Sequence, residues 1–347
     1  MTTTSNGERD DHRGSGSGSG SGDGDILAAH RRVTVVGAGV IGTSWTALFL
    51  AHGLRVTVSD PAEGAEKAVR TQLRELAAGF AAVGTPLPDE PLPLRFEPDL
   101  EKAVADADLV QENGPERLEL KRELFARIEA AAPARALLAT STSGLLPSDI
   151  ARDLREPERL VVAHPFNPPH LQPLVEIVPG ERTSPATVDR AVALYRALGR
   201  RPQVLRKEIS GFVGNRLQSA LFREAVHLVT EGVVTEEELD AVVRDSIGLR
   251  WAAAGPFRSF HLGGGPGGLA HFLDHLAPGM ERRWPDLGTP SFDAPTRRLL
   301  LEQAEESFGA HPYAELTAER DRTQLALLRA RAEAAGEPSP GAADQPG

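Results

Sequence analysis

Cysteine is absent from the 347-residue chain, which excludes disulfides, thiolate zinc sites, iron–sulfur clusters and cysteine nucleophiles together. The same absence fits a reducing, cytoplasmic setting. Basic charge is also in deficit: 38 Lys and Arg face 49 Asp and Glu, a formal net charge of −11. Such acidity argues against partners that are nucleic acid or anionic membrane. No spacing of His and acidic residues has the form of a metal site, HExxH included. Residues Met1–Ala29 lack the basic start and apolar stretch of a secretory signal. Val33 to Leu54 holds no charged residue, and roughly 22 residues are enough to span a bilayer. Its pattern changes inside, however: a β-branched run meets three glycines and then a helix-like segment, which suits a strand–turn–helix of a globular protein.

What is present is the material of about two domains, with 40% hydrophobic and 25% charged residues. From Arg32 to about Val204, short apolar runs alternate with amphipathic segments, the sign of a parallel sheet covered by helices. Candidate strands are Val33–Val36, Arg55–Ser59, Ala107–Gln111, Ala136–Ala139, Leu160–Ala163, Leu174–Val178 and Gln203–Leu205. Glu63–Val83 reads as a helix, followed by a proline-rich connection. After Lys207 the pattern is helical: Phe212–Glu231 with Leu217, Leu221 and Leu228 on one stripe, then a Thr235/Glu238 capping box opening a helix that stops near Gly248. Pro295–Phe308 and Thr317–Ala335 are further helices. The fold class is therefore α/β, a doubly wound sheet followed by an all-helical domain. The boundaries are a flexible Gly/Ser tail (1–30), a dinucleotide-binding domain (31–206), a helical substrate and dimerisation domain (207–335) and a loose C-terminal tail (336–347).

Gly37-Ala38-Gly39-Val40-Ile41-Gly42 falls between a predicted strand and a predicted helix, and Asp60 ends the next strand at about the expected separation of ~20 residues. The first glycine permits the tight turn, the second lets the backbone approach a pyrophosphate, and the third lets helix and strand pack closely. The helix N-terminus stabilises the phosphate charge. Asp60 accepts from ribose hydroxyls and repels a 2′-phosphate, so the cofactor is read as NAD.

His164 ends an apolar strand and is followed by the rigid turn Pro165-Phe166-Asn167-Pro168-Pro169, at the carboxyl edge where open α/β sheets border their crevice. Leu174-Val175-Glu176-Ile177-Val178 embeds a carboxylate in an otherwise apolar strand, where it needs a partner. An imidazole is an obvious one, since a carboxylate fixes its tautomer and stabilises the imidazolium. The alternatives are a core histidine bonded to a carbonyl and an edge-strand glutamate facing water. Thr140-Ser141-Thr142-Ser143 offers hydroxyls to a substrate oxygen or caps a helix. Asn215 either binds a ligand or caps its own helix.

Together these residues resemble the 3-hydroxyacyl-CoA dehydrogenase superfamily, and within it the free-acid branch of L-gulonate 3-dehydrogenase (lambda-crystallin) and L-carnitine dehydrogenase. The motifs are the glycine turn, Gln111-Glu112-Asn113-Gly114-Pro115-Glu116 with Lys121, Ser141-Thr142-Ser143, His164–Pro169, Leu174-Val175-Glu176 and Gly211-Phe212-Val213-Gly214-Asn215-Arg216. The resemblance implies a Rossmann-type domain with an all-helical dimerisation domain. It implies His164 as general base oriented by Glu176, with Ser143 and Asn215 holding the reacting oxygen. It further implies Asp60, Glu116, Lys121 and Asn167 as cofactor contacts, beside Gly37, Gly39, Val40, Ile41 and Gly42. The implied reaction oxidises the 3-hydroxyl of a small L-3-hydroxy acid to the 3-oxo acid. A 3-hydroxyacyl thioester, or NAD binding without turnover, is the competing reading. Gln72–Glu97 carries no Ser, no Lys and only Arg74 and Arg95 as basic residues, which suits the phosphates of CoA badly. Gly248-Leu249-Arg250-Trp251-Ala252 resembles the free-acid branch, with Arg250 a candidate partner for a substrate carboxylate. Trp251, Phe257, Phe260 and Phe272 form either a cage for a quaternary ammonium or ordinary core.

Overall fold

The computed structural model describes residues 20–337. In chain order come α1 (Gly20–Ala29), β1 (Arg32–Val36), α2 (Val40–Ala51), β2 (Arg55–Ser59), α3 (Ala65–Ala82), β3 (Leu94–Phe96), α4 (Leu100–Val104) and β4 (Leu109–Glu112). These are followed by α5 (Leu118–Ala131), β5 (Leu137–Thr140), α6 (Pro147–Ile150), β6 (Leu160–Pro165), β7 (Leu174–Pro179), α7 (Pro185–Ala197) and β8 (Arg201–Val204). Among the described residues the strands form one eight-stranded sheet in the order β3-β2-β1-β4-β5-β6-β7-β8. Alternate side chains along a strand face opposite layers. Val33 and Val35 thus join Trp45, Leu48, Phe49 and Leu194 on one face, while Val36 joins Val104, Phe125 and Ile128 on the other. Each such fully buried side chain contributes about 1.5–3 kcal/mol relative to exposure.

The sheet departs from the all-parallel reading at one place. β7 runs antiparallel to β6, with Glu176 directly opposite His164 in the register. The connection of residues 166–173 is too short for a crossover helix, so the chain turns back on itself. β3 was not foreseen; it is a three-residue edge strand after the proline-rich connection, pairing with β2.

The tails also differ from the sequence reading. Of the segment 1–30 read as a flexible tail, residues 1–19, with most of the Gly/Ser repeat, lie outside the described residues. Residues 20–29 form α1 instead, because Ile26 and Leu27 have core to pack against. At the other end Gly336, in the left-handed conformation (φ 65°), closes the last helix, Tyr313–Ala335, and Glu337 pairs with Arg201. The rest of the C-terminal tail, 338–347, lies outside the described residues.

Past the sheet the chain is helical: α8 (Gly214–Thr230), α9 (Glu236–Val243), α10 (Leu249–Gly263), α11 (Gly268–His275), α12 (Ala277–Glu281), α13 (Ala294–Phe308) and α14 (Tyr313–Ala335). The Thr235/Glu238 capping box opens α9 with both reciprocal hydrogen bonds. The expected stop at Gly248 does not occur. A π turn over Arg244–Gly248 carries the chain into α10, and Gly248 fits because a Cβ there would lie 2.7 Å from the Val243 carbonyl. The stripe read on Phe212–Glu231 is not buried as such: Leu217 and Leu221 are exposed, whereas Val226 and Val229 are buried.

Between β4 and α5 an ion pair is enclosed in the protein. Lys121 Nζ contacts Glu112 Oε1 and Oε2 at 2.9 and 2.8 Å and the Gly114 carbonyl at 3.1 Å, with side-chain exposures of 1% and 0% for Lys121 and Glu112. Thr140 Oγ1 donates to Glu112 Oε2 at 2.5 Å. Such a pair is costly to break, because removing one partner strands a buried charge. Lys121→Met is expected to lower the unfolding free energy by about 3–5 kcal/mol in urea titrations; a loss below about 0.5 kcal/mol, the level of a neutral surface change, would contradict the pair's structural role.

Candidate active site

The glycine turn is built as the fingerprint requires. Gly37 adopts φ 96°, and a Cβ on it would lie 2.8 Å from the Asn113 carbonyl. A Cβ on Gly42 would lie 1.9 Å from the Gly37 carbonyl, whereas one on Gly39 would meet open space. Gly39 thus lets a ligand approach the start of α2, a helix whose first amides carry no side-chain cap. Val40 is exposed there and Ile41 half-buried. At the end of β2, Asp60 Oδ2 accepts from the Ala38 amide at 2.7 Å and Oδ1 from the Ala62 amide at 2.8 Å. A cavity of about 540 Å³ runs from Ala38 and Gly39 to Thr71 of α3, and another of about 770 Å³ lies beyond it between Asp60, α3 and Phe96. Open space over Gly39, free helix amides and an acid beside the cavity fit a dinucleotide.

His164 and Glu176 meet as expected: Nδ1 to Oε2 is 2.9 Å, with both side chains buried. The other Glu176 oxygen, Oε1, accepts from the amides of Val213 and Gly214, each at 3.0 Å. Burial opposes ionisation of Glu176, but the hydrogen bonds from His164, Gly214 and Val213 outweigh it and hold the carboxyl below its ordinary value. The imidazole packs against the rings of Phe166 and Phe212, both tilted to it, with centroids 4.9 and 5.5 Å away. Its Nε2 has no hydrogen-bond partner among the described residues, so that nitrogen is free for a ligand.

Ser143 and Asn215 are also brought together, the Asn215 Nδ2 donating to the Ser143 carbonyl at 2.9 Å. Glu116 organises this turn: its Oε1 accepts from Thr142 Oγ1 (2.5 Å), the Ser143 amide (2.8 Å) and the Gly144 amide (3.0 Å), with Ser143 Oγ at 3.2 Å. Burial works against the Glu116 charge, yet these donors and the Lys121 ammonium hold its carboxyl below the ordinary range. All four hydroxyls in Thr140–Ser143 have a protein partner: Thr140 donates to Glu112, Ser141 to Asn113, Thr142 to Glu116, and Ser143, at the longest distance, to Glu116. Ser143 alone of the four is exposed.

Other residues stand apart. Lys121 has its ammonium inside the protein on Glu112 and Gly114, reaching Glu116 only at 3.8 Å. Asn167 is exposed on the loop after β6. Arg250 is exposed in the first turn of α10. Phe260 and Phe272 stack on each other at 4.6 Å, while Phe257 is largely exposed. The glycines around 263–268 form a helix–helix joint in which a Cβ on Gly264 would lie 1.9 Å from the Gly268 carbonyl.

A buried polar network went unread in the sequence. Ser141 Oγ accepts from Trp45 Nε1 and Gln111 Nε2, each at 2.9 Å, and donates to Asn113 Oδ1 at 2.7 Å. The Tyr195 hydroxyl donates to Gln111 Oε1. It fastens the ends of β4 and β5 to α2 and α7.

A glycine turn opening a helix, with an acid closing the next strand, is the construction of a dinucleotide-dependent oxidoreductase. Residues 32–209 match the family model described as 3-hydroxyacyl-CoA dehydrogenase, NAD binding domain. Residues 211–288 match the model of the C-terminal domain of the same family. The L-carnitine dehydrogenase of Streptomyces griseus is 45% identical over 300 residues, 86% of this chain and 90% of that protein. That of Burkholderia mallei is 47% identical over 272 residues, 78% and 85%. Among solved structures, 5-formyl-3-hydroxy-2-methylpyridine 4-carboxylic acid 5-dehydrogenase, an NAD+-dependent dismutase, aligns with a TM-score of 0.74 and 32% identity over 89% of this chain and 99% of that one. The 3-hydroxyacyl-CoA dehydrogenase of Archaeoglobus fulgidus gives 0.61 and 28% over 86% and 99%. The chain belongs to the 3-hydroxyacyl-CoA dehydrogenase family. It is an NAD-dependent oxidoreductase of a 3-hydroxy substrate.

The depressed Glu176 carboxyl has a consequence for stability. A carboxylate whose folded-state pKa lies below its unfolded value stabilises the fold above the unfolded value, and that contribution disappears as pH falls through the folded one. The unfolding free energy of wild type minus that of Glu176→Gln is therefore expected to be largest near neutrality and to shrink as the pH falls below the ordinary range of a glutamate carboxyl. A difference independent of pH would contradict the assignment.

Proposed function

We propose that the chain oxidises the 3-hydroxyl of a small L-3-hydroxy acid of the carnitine or gulonate kind to the 3-oxo acid, with His164 as general base. The observation that carries this reading is the 2.9 Å contact between His164 Nδ1 and Glu176, which leaves Nε2 without a protein partner. In this reading Nε2 takes the hydroxyl proton while Glu176 fixes the tautomer and stabilises the imidazolium that forms. Ser143 and Asn215 hold the reacting oxygen, and Glu116 holds the Ser143 turn. Gly39, Val40 and Ile41 present backbone to the pyrophosphate, Asp60 takes the ribose hydroxyls, and Gly37 and Gly42 shape the turn. Asn167 borders the nicotinamide end, and Lys121 acts through Glu112 and Glu116. NAD+ supplies the hydride acceptor.

Carnitine is favoured among free acids because relatives at about 45% identity carry that name. Arg250, exposed on α10, is proposed to pair with the substrate carboxylate. A 3-hydroxyacyl thioester is the second reading, supported by the Archaeoglobus fulgidus structure and opposed by the Ser- and Lys-free segment 72–97. The helical residues 207–335 are proposed to pair with a second copy. Leu217, Phe222, Leu249, Phe257 and Leu301 are large apolar side chains left exposed there, the mark of a surface that a partner covers.

NADH formation with L-carnitine, L-gulonate and a 3-hydroxyacyl-CoA decides the substrate. Turnover of a free acid is expected, with loss of about 10²–10⁴ in kcat for His164→Ala; turnover of the thioester alone, or of none, would overturn the reading. In the same assay Arg250→Ala is expected to raise KM for the acid at least ~10-fold, as loss of a charge-assisted pair implies. An unchanged kcat/KM would dismiss that role.

A further inference from the structure

The first turn of α8 reaches the base through its backbone. Gly211 and Phe212 both take left-handed conformations, φ 74° and φ 48°, and Phe212 is the non-glycine residue that does so among the described residues. A bulky side chain in that region is strained, and such strain persists where the surroundings enforce it. Here the Phe212 ring is fully buried and packs on His164. A left-handed residue followed by a right-handed one turns successive amides to one side, a concave nest for an anion. The Val213 and Gly214 amides accordingly converge on one atom, Glu176 Oε1, at 3.0 Å each. Gly214 is constrained as well, since a Cβ there would lie 2.2 Å from the Phe166 ring.

We propose that the turn Gly211-Phe212-Val213-Gly214 completes the His164–Glu176 pair as a positioning element, its two amides holding the Glu176 charge and so the acid limb of the reaction. The inference rests on the reading of His164 as base. The surroundings leave the amides as the main external control of that charge. His164 is the titratable side chain acting on Glu176; β8 lays the uncharged Gln203 beside it. On the helical side Arg216 turns to the Ser210 carbonyl and Glu208 accepts from the Ser148 amide. Because the same turn leads into Asn215, docking of α8 completes the oxygen-binding group and tunes the base together.

The active form is neutral imidazole with ionised carboxylate. Removing one amide donor leaves the Glu176 carboxylate more basic, so it binds more firmly a proton placed on its own oxygen or on the imidazole bonded to it, and the pair leaves its active form at higher pH. Val213→Pro deletes one donor, and its native φ of −92° is near the range proline allows. Replacement of Val213 by its α-hydroxy analogue deletes the same donor as a backbone ester and serves if the proline variant does not fold. The acid limb of kcat/KM against pH is expected to move up by as much as about one unit, a tenfold loss below the limb, which is the size of one hydrogen bond to a charge lost in full. In a Glu176→Gln background the ester should add no further shift. An unmoved limb in the ester variant, with Glu176→Gln itself shifting the profile, would overturn the cradle and leave the base reading standing. Wild-type profiles in both Glu176→Gln and His164→Ala would bring down both.

Discussion

Glu176 is where the two halves of the molecule are joined chemically. It stands on β7, opposite His164 on β6, and its second oxygen takes the amides that open α8. A carboxylate 2% exposed survives only if its lone pairs are answered, and here three donors answer them. Much follows from that requirement. The antiparallel turn between β6 and β7 puts the two side chains in register, the strained Phe212 aims the amides, and Gly214 leaves room for the Phe166 ring. The His164 imidazole carried by the sheet domain and the Asn215 amide carried by the helical one are thereby held in one frame.

The rest of the crevice rim is built from polar groups that face inward and are satisfied. The Lys121–Glu112 pair anchors the end of β4, Glu116 gathers the amides of the Ser143 turn, and the Trp45–Ser141–Gln111–Tyr195 network ties both to the helices behind. Buried polar networks of this kind rigidify when every member is paired. Against this fixed scaffold, Ser143, Asn167 and Arg250 are left at the surface, where a ligand can reach them.

Much of this was legible in the sequence because the signals are local. The glycine turn and Asp60 declare themselves by spacing, since backbone geometry dictates the residue types. His164 and Glu176 were legible as an imidazole at a strand end and a carboxylate that needed a partner. That they touch depended on strand direction, and the alternating pattern suggested a parallel sheet; only the short 166–173 connection hinted otherwise. Lys121 was misleading in the opposite sense. The resemblance implied it as a cofactor contact, and nothing local reveals that Glu112, nine positions earlier, has drawn it inside. The Gly211–Gly214 motif was visible, but the amides that matter have no side-chain signature. The stripe at Leu217 and Leu221 had the period of a buried face, yet among the described residues nothing covers it.

Whether His164 meets the substrate is decided by a crystal structure of the ternary complex with NAD and a 3-hydroxy acid. His164 Nε2 should lie within hydrogen-bond reach of the 3-hydroxyl, roughly 2.6–3.2 Å, with Ser143 and Asn215 on the same oxygen. A substrate whose hydroxyl is bound elsewhere, with Nε2 turned from it, would contradict the account.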